Sequence, residues 1–492
     1  MTLTGTKKRC GTAMHGFAQV CRGRLASFLY PGTRITDVCW ASKGSASLAS
    51  DMPAAEPNET TWAGRRLHFV GIGGAGMSGL ALIAAALGAQ VTGSDRAPSS
   101  YTERLVERGI EPVFGHAAAN VPAGAEVVYS TAIPADNPER QAAGAELHRA
   151  DLLAQIAALR RCLAVTGTHG KTTTSAMAVQ ALQGAGLDPA YVVGGELRST
   201  HSNAGWGAGE WIVIEADESD RSLLKLQPEI AVLTNAELDH HSTYTSRLDL
   251  ERTFAEFMAR AGDRAVVWDR PQLRALCPGG GVPYDAPGAR LDPAGSRFDW
   301  RGIEVRLAVP GAHNAINAAG ALTACALAGA DPASAAAALA EFRGARRRME
   351  RVGETAGGAE IYDDYAHHPT EVATAIAAAR TLRPRRLVAV FQPHLYSRTR
   401  ALARAFGLAL AAADAVVVLG IYPARERAED FPGVSGRLVA AAAADAGAGR
   451  SVAWLPGFDE ARAYLATVLR AGDLCLMMGA GNIDALGRSL VV

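Results

Sequence analysis

Covalent bracing is scarce in this chain. Seven cysteines are scattered through 492 residues without a C-x-x-C pair, which argues against a disulfide framework or a thiolate zinc site and fits a reducing, cytoplasmic setting. Net charge is absent as well: 49 basic residues balance 49 acidic ones. With no long-range field to gather a polyanion, neither nucleic acid nor an anionic membrane surface is expected as a partner. Any phosphate has to be held locally. Apolar runs such as residues 79–88 stop far short of the roughly 20 residues that cross a bilayer, so no membrane insertion is expected. Acidic residues are missing from the beginning. None precedes Asp37, while Lys7, Lys8, Arg9, Arg22, Arg24 and Arg34 are basic and Cys10, Cys21 and Cys39 fall in the same stretch. A transit peptide has such a composition; the plainer expectation for residues 1–63 is a disordered extension, or a start assigned upstream of a true beginning near Met52.

What is present is a succession of α/β blocks. At this length two to four domains are expected, since single cores seldom exceed roughly 250–300 residues. Leu67 to Val70 runs straight into G-I-G-G-A-G-M-S and an Ala/Leu-rich helix, followed by buried-strand patterns at Val91 to Asp95 and Glu126 to Thr131. Such alternation builds a parallel sheet. Gly71, Gly73 and Gly76 make G-x-G-x-x-G, and Asp95 closes the second strand about where a Rossmann fold carries its ribose acid. A diphosphate at this helix N-terminus is expected; the motif leaves the nucleotide open.

The second block starts with a strand, Cys162 to Val165, and V-T-G-T-H-G-K-T-T-T-S-A-M. A standard phosphate loop reads G-x-x-x-x-G-K-[ST], and Val165 stands where its first glycine belongs. W-I-V-I-E-A-D-E-S-D (Trp211 to Asp220) and A-V-L-T-N-A-E-L-D-H-H (Ala231 to His241) read as strands ending in polar groups. In an ATPase of that order Lys171 reaches the β- and γ-phosphates while Thr172 and Glu215 hold Mg²⁺. Asp239, His240 and His241 are candidate ligand or phosphate contacts, although imidazole is an unusual member of a magnesium shell. G-A-H-N-A-I-N-A-A places His313 and Asn317 on one helix face, with Asn314 beside them. Amides suit a purine edge, and a merely capped helix accounts for the pattern equally well. The Gly/Ala-rich stretch 279–294 reads as irregular turns.

The third block opens with R-R-R-M-E and D-D-Y-A-H-H-P-T-E. Pro369 is expected to start a helix, with His367 and His368 near its positive end, an arrangement suited to an anion. Arg346, Arg347 and Arg348 read either as a solvated face or as a source of charge for a γ-phosphate. Further strands are expected at Leu387 to Phe391, Ala415 to Leu419 and Leu474 to Met478. The expected domains are 64–157, 158–343 and 344–492.

These motifs, together with F-Q-P-H-L-Y-S-R-T and I-Y-P-A-R-E, occur in the order seen in the Mur ligases of peptidoglycan synthesis, and the chain resembles that family from about Leu67 to its C-terminus. The short G-T-H-G-K-T loop is the usual form there. The resemblance implies an α/β protein of three domains: a Rossmann-like UDP-binding domain, a P-loop-type ATP-binding central domain and a Rossmann-like C-terminal domain. It implies ATP-dependent joining of L-alanine to the lactyl carboxylate of UDP-N-acetylmuramate through an acyl phosphate, with two Mg²⁺ ions, by a monomer or homodimer.

By the same resemblance ATP is held by Gly167, Thr168, His169, Gly170, Lys171, Thr172 and Thr173, with His313, Asn314 and Asn317 at the adenine. The UDP-sugar is held by Gly71, Gly73, Gly74, Gly76, Met77, Ser78, Asp95, Ser130 and Thr131, and metal by Thr172, Glu215 and His240. Tyr365, His367, His368 and Arg398 are implied where the amino acid meets the acyl phosphate. Lys171, His240, His368, Arg347 and Arg348 are the implied catalytic groups. Two positions depart from the family pattern: Leu395 stands where many relatives have arginine, and Met349 where others have phenylalanine. Both bear on substrate preference.

Four rivals follow from parts of the same pattern. A ligase that joins a whole tripeptide to this sugar nucleotide usually carries a different first glycine loop. A folylpolyglutamate-type ligase should lack the leading UDP domain. Hydride transfer would require a dinucleotide at the first block, whose glycines a UDP diphosphate already explains. A binding protein that has lost catalysis is opposed by the presence of Lys171, Glu215 and His240.

Overall fold

The computed structural model describes residues 61–492 apart from 241, 242 and 448. The expected extension up to residue 60, and His241, lie outside the described residues. Trp62 joins the first core at 3 % exposure, with the Arg65 guanidinium 4.9 Å from its ring centroid. Ordered packing thus begins ahead of the Leu67 strand.

The described residues form four sheets. The first contains β1 (Arg66–Val70), β2 (Gln90–Asp95), β3 (Val113–Phe114), β4 (Glu126–Tyr129) and β5 (Ala145–His148) in the order β3-β2-β1-β4-β5, all parallel. The second contains β6 (Arg161–Thr166), β7 (Ala190–Leu197), β8 (Ser202–Gly205), β9 (Trp211–Glu215), β10 (Ile230–Leu233), β11 (Ala265–Trp268) and β12 (Val282–Tyr284). Its order is β12-β11-β10-β6-β9-β7-β8, with only the β7–β8 pair antiparallel. A small antiparallel sheet follows, β13 (Arg290–Asp292), β14 (Gly295–Trp300) and β15 (Ile303–Leu307). The stretch expected to be irregular turns therefore supplies β12 and β13. Both are three-residue edge strands created by pairing, too short to show a period of their own.

The fourth sheet holds β16 (Glu350–Glu354), β17 (Glu360–Asp364), β18 (Arg386–Phe391), β19 (Ala415–Val418), β20 (Ser451–Trp454) and β21 (Asp473–Met478) in the order β16-β17-β21-β18-β19-β20, parallel except for β16. Five helices matter for the site: α1 (Ala75–Ala86), α2 (Lys171–Gly184), α3 (Ala312–Leu327), α4 (Pro369–Thr381) and α5 (Tyr396–Leu410).

The inner strands are apolar on both faces because helices cover both faces. Leu163, Val165, Val213 and Val232 are all fully buried. β6 lies between β9 and β10, and the register pairs Val165 with Glu215 and Thr166 with Leu233. The loops leaving these three strands therefore emerge side by side at the carboxyl edge, where open α/β sheets bind ligands. The first and second sheets share one core: Leu80 and Ile83 of α1 belong to the same cluster as Val192 of β7 and Ala204 of β8.

Candidate active site

The phosphate loop leaves β6 and turns into α2 under tight steric control. A Cβ at Gly167 (φ 127°) would lie 2.2 Å from Thr234 Oγ1, and one at Gly170 (φ 80°) 2.8 Å from Asn317 Oδ1. Only glycine lets the loop lie against the β10 loop on one side and α3 on the other. Val165, at the position of the missing first glycine, is a buried strand residue. No side chain caps α2, which leaves its first N–H groups available to an anion. The loop is fastened by Asn235, whose Oδ1 accepts from His169 N and whose Nδ2 donates to His169 O, both at 2.9 Å.

Lys171 is folded back over this loop. Its Nζ donates to Gly167 O (2.7 Å) and Thr168 O (3.1 Å) and lies 2.8 Å from Glu218 Oε2. Burial opposes its charge, but Glu218, followed by Asp217 and Glu215, outweighs burial and keeps the amine protonated. Thr172 Oγ1 donates to Glu215 Oε1 at 3.0 Å, and Gly194 N to Glu215 Oε2 at 2.6 Å. Burial nevertheless raises the Glu215 pKa, with Lys171 offsetting part of the effect. His240, at φ 52°, places Nε2 3.5 Å from Glu218 Oε1. Burial works against its protonation, but Glu218 and Asp239 prevail and raise its pKa. Lys171, Thr172, Glu215 and His240 are thus brought together around the end of β9.

Beside this cluster a cavity of about 220 Å³ opens between the second and fourth sheets, lined by Gly170, Thr173, His313, Asn314, Asn317, Arg348 and Met349 among others. Burial, with Arg348 nearby, pushes His313 down to about 4, so its ring is neutral. Asn314 Nδ2 donates to Pro310 O at 2.7 Å. Arg348 is directed to this cavity. Arg347 is not: it donates to Asp363 Oδ2 (3.0 Å), Gly479 O (2.7 Å) and Gly481 O (2.9 Å), which ties it inside the fourth-sheet domain.

α4 begins as its proline requires. Pro369 is in the first turn, His368 is the N-cap, and Glu371 returns to accept from His368 N at 3.2 Å in a capping box. His368 faces the phosphate loop, its ring 4.8 Å from that of His169. His169 in turn lies 3.3 Å from Glu237 through Nε2 and 3.3 Å from Glu371 through Nδ1. Burial lowers its basicity, but the two carboxylates push it up to about 9, so the ring is a cation.

His367 is turned the other way, with Nδ1 3.0 Å from Tyr365 O and its ring edge-on to His394 at 6.1 Å. Arg398, on α5, donates to both Asp239 oxygens (2.9 and 3.1 Å) and contacts His394 Nδ1 at 3.3 Å. Burial neutralises both imidazoles, taking His367 to about 4 and His394 to about 3. Tyr365 lies under the guanidinium groups of Arg347 and Arg348, 5.1 and 5.2 Å from its ring centroid. Leu395 is buried at φ 68°, and Met349 at φ 48° borders the cavity.

The first-sheet candidates form a separate group. α1 starts at Gly74 without a capping side chain, and Gly73 N donates to Asp95 Oδ2 at 2.8 Å. Gly71 (φ 75°) is overlain by Ile133, just past Ser130 and Thr131. Gly76 continues the helix. Met77 is buried in the core, and Ser78 accepts from Asn203 Nδ2 at 3.2 Å. These last two side chains point toward packing and the second sheet.

Comparison with known proteins decides the family. Residues 66–161 match the Mur ligase family catalytic domain, 165–279 the Mur ligase middle domain and 347–481 the Mur ligase glutamate ligase domain. A UDP-N-acetylmuramate–L-alanine ligase of Acidithiobacillus ferrooxidans is 44 % identical over 451 residues, covering 86 % of this chain and 96 % of that protein. The chain belongs to the Mur ligase family. A UDP-N-acetylmuramate–L-alanine ligase of Rubrobacter xylanophilus is 42 % identical over 446 residues, 87 % of this chain and 99 % of the relative. The crystal structure of the Thermotoga maritima UDP-N-acetylmuramate-alanine ligase superimposes with a TM-score of 0.74 at 28 % identity, covering 86 % of this chain and 98 % of that one.

In this Mur ligase several site groups escaped sequence reasoning. Glu218, fully buried, bridges Lys171 and His240; the second glutamate of E-A-D-E-S-D was its only signal. Glu237 and Glu371 flank His169, and His394 reaches Arg398. Each lay inside a quoted motif; the partner of Glu237 and Glu371 comes from another part of the chain, whereas His394 and Arg398 share one motif, four residues apart. Metal chemistry can be tested on the same geometry. Thr172 and Glu215 present hard oxygen donors, and burial disfavours the Glu215 charge, so they fit Mg²⁺. His169, Glu237 and His368 have ligand atoms within 4.8 Å of one another. They fit a metal poorly, because the two carboxylates flanking His169 keep its ring protonated and leave no free nitrogen lone pair.

Proposed function

We propose that this Mur ligase joins L-alanine to the lactyl carboxylate of UDP-N-acetylmuramate at the expense of ATP, giving UDP-N-acetylmuramoyl-L-alanine, ADP and phosphate in peptidoglycan synthesis. The observation that carries the reading is near-full-length similarity to ligases named for this reaction. Convergence of the phosphate loop, the acidic end of β9 and the basic groups of the third domain supports it. A cytoplasmic setting, where ATP is available, belongs to the same proposal.

Two substitutions make the product. A lactyl carboxylate oxygen attacks the γ-phosphorus, the bond to the β,γ-bridging oxygen breaks, and ADP leaves behind an acyl phosphate. The deprotonated amine of L-alanine attacks the acyl carbon, and the tetrahedral adduct expels phosphate to leave the amide. The first step brings two anions together, so fixed positive charge is the main requirement. In this reading Lys171 exchanges Glu218 for phosphate oxygens, and Arg348 adds charge from the third domain. Thr172 and Glu215 would hold one Mg²⁺, with His240 beside a second; bound there, the ions neutralise phosphate charge.

The remaining roles follow the grouping of residues. The open start of α2 and residues 167–173 take the triphosphate, and His313, Asn314 and Asn317 the adenine. The uncapped start of α1, with Asp95 and residues 130–131, takes the sugar nucleotide. Tyr365, His367 and Arg398 take the amino acid, while His368 serves the nucleotide side. The proposed partition is 64–157 for the sugar nucleotide, 158–343 for ATP and 344–492 for the amino acid. Its test is Lys171→Ala: phosphate release should be lost while UDP-N-acetylmuramate still binds by calorimetry. Loss of both would overturn the partition.

A further inference from the structure

Glu371 has a neighbourhood that a helix cap alone does not require. As the third residue of α4 its Oε2 accepts from His367 N (2.9 Å) and His368 N (3.2 Å), which satisfies the helix start. Its other oxygen is directed away from α4 and lies 3.3 Å from Nδ1 of His169, in the phosphate loop of the second-sheet domain. Across the His169 ring stands Glu237, 3.3 Å from Nε2, and Glu237 also accepts from Thr370 Oγ1 at 2.6 Å. The contact is therefore reciprocal. Each domain contributes a carboxylate to His169, and α4 donates a hydroxyl back to the carboxylate of the other domain.

A neutral imidazole has one N–H and can satisfy one carboxylate; two on opposite ring nitrogens require the imidazolium. The ring nitrogens are too poorly aligned for hydrogen bonds and hold the carboxylates by charge. The loop's backbone at His169 is already fixed within its own domain by Asn235. What Glu371 adds is a hold on the side chain, and the hold exists only while α4 is docked. His169, Glu237, Thr370 and Glu371 all border the cavity assigned to ATP.

We propose that Glu371 is a positioning residue for the phosphate loop, acting through His169 so that the ATP-ready shape of the loop depends on docking of the third domain. The inference rests on reading this cavity as the ATP site. Glu371→Gln keeps an oxygen to cap α4 and removes the charge facing His169. The test is a double-mutant cycle of E371Q and H169Q in the full chain. Its readouts are titration with a fluorescent ADP in Mg²⁺ buffer, KM for ATP and for UDP-N-acetylmuramate, and Tm.

Each single variant is expected to weaken nucleotide binding and raise the KM for ATP by about tenfold, the size of one coupled charge contact, and the double variant to be no worse than either. KM for the sugar nucleotide should stay near the wild-type value, and any fall in Tm should accompany the loss of nucleotide affinity. Additive losses, or unchanged nucleotide affinity with a lowered Tm, would overturn the proposal and leave Glu371 as a cap only. Nucleotide titration needs no amino acid. A wild-type chain that binds ADP but makes no alanyl product overturns the ligase reading, and the cycle still decides the role of Glu371.

Discussion

Lys171 shows what single residues contribute. Its ammonium is held by two loop carbonyls and Glu218, so the charge is kept at the loop before any phosphate arrives, and phosphate oxygens have to take the place of Glu218. Replacing it with alanine should slow phosphate release by a factor of roughly 10²–10³, the loss typical for one preorganised transition-state group. His169 gives a pH prediction. Its pKa rises from 6.5 to about 9 on folding, facing Glu237, Glu371 and His368. A raised pKa means that the stabilisation is complete below pH 6.5 and is lost as pH climbs through about 9. Thermal melts of wild type should therefore fall over pH 6.5–9 more steeply than those of His169→Gln; parallel curves would contradict the assignment. Lys171, Thr172 and Glu215 were legible in the sequence because loop and strand end carry them at short range. Glu218 was not, because its role depends on where Lys171 Nζ turns.

At the scale of elements, the phosphate loop is shaped by what it lies against. Gly167→Ala forces a Cβ to within 2.2 Å of Thr234 Oγ1 at φ 127°, and strained backbone of this kind costs of order 1–3 kcal/mol. The expected result is weaker nucleotide binding with a lowered Tm, measured by titration and calorimetry. An unaltered Kd would show that the loop tolerates a shift. The strand–loop–helix pattern was readable because apolar strands and the Gly-Lys-Thr turn are local signals. So was the start of α4, where proline fixes the first turn. Edge strands β12 and β13 were unreadable, because pairing rather than composition makes them. Trp62 was also missed, since a lone aromatic in a polar stretch has no periodicity to mark it as core.

In the whole molecule, charge pairs join what the sheets keep apart. Arg398 of α5 and Asp239 beyond β10 are 5 % and 4 % exposed and bonded through both carboxylate oxygens. Glu196 of β7 is 2.8 Å from Arg104 and 3.2 Å from Arg346. Removing one member of a buried pair leaves an unpaired charge, at a cost of roughly 3–5 kcal/mol. Arg398→Met should destabilise the chain by about that amount in urea melts, and adding Asp239→Asn should restore part of it; additive losses would argue against a direct pair. The succession of three α/β blocks was legible along the chain, but these cross-links were not, since their partners lie 159, 92 and 150 residues apart. The most direct test of the account is phosphate release with ATP, Mg²⁺ and UDP-N-acetylmuramate, run in parallel with L-alanine, glycine, L-serine and a cell-wall tripeptide, with mass spectrometry of the products. The account predicts fastest turnover with L-alanine and the mass of UDP-N-acetylmuramoyl-L-alanine; turnover with the tripeptide alone would contradict it.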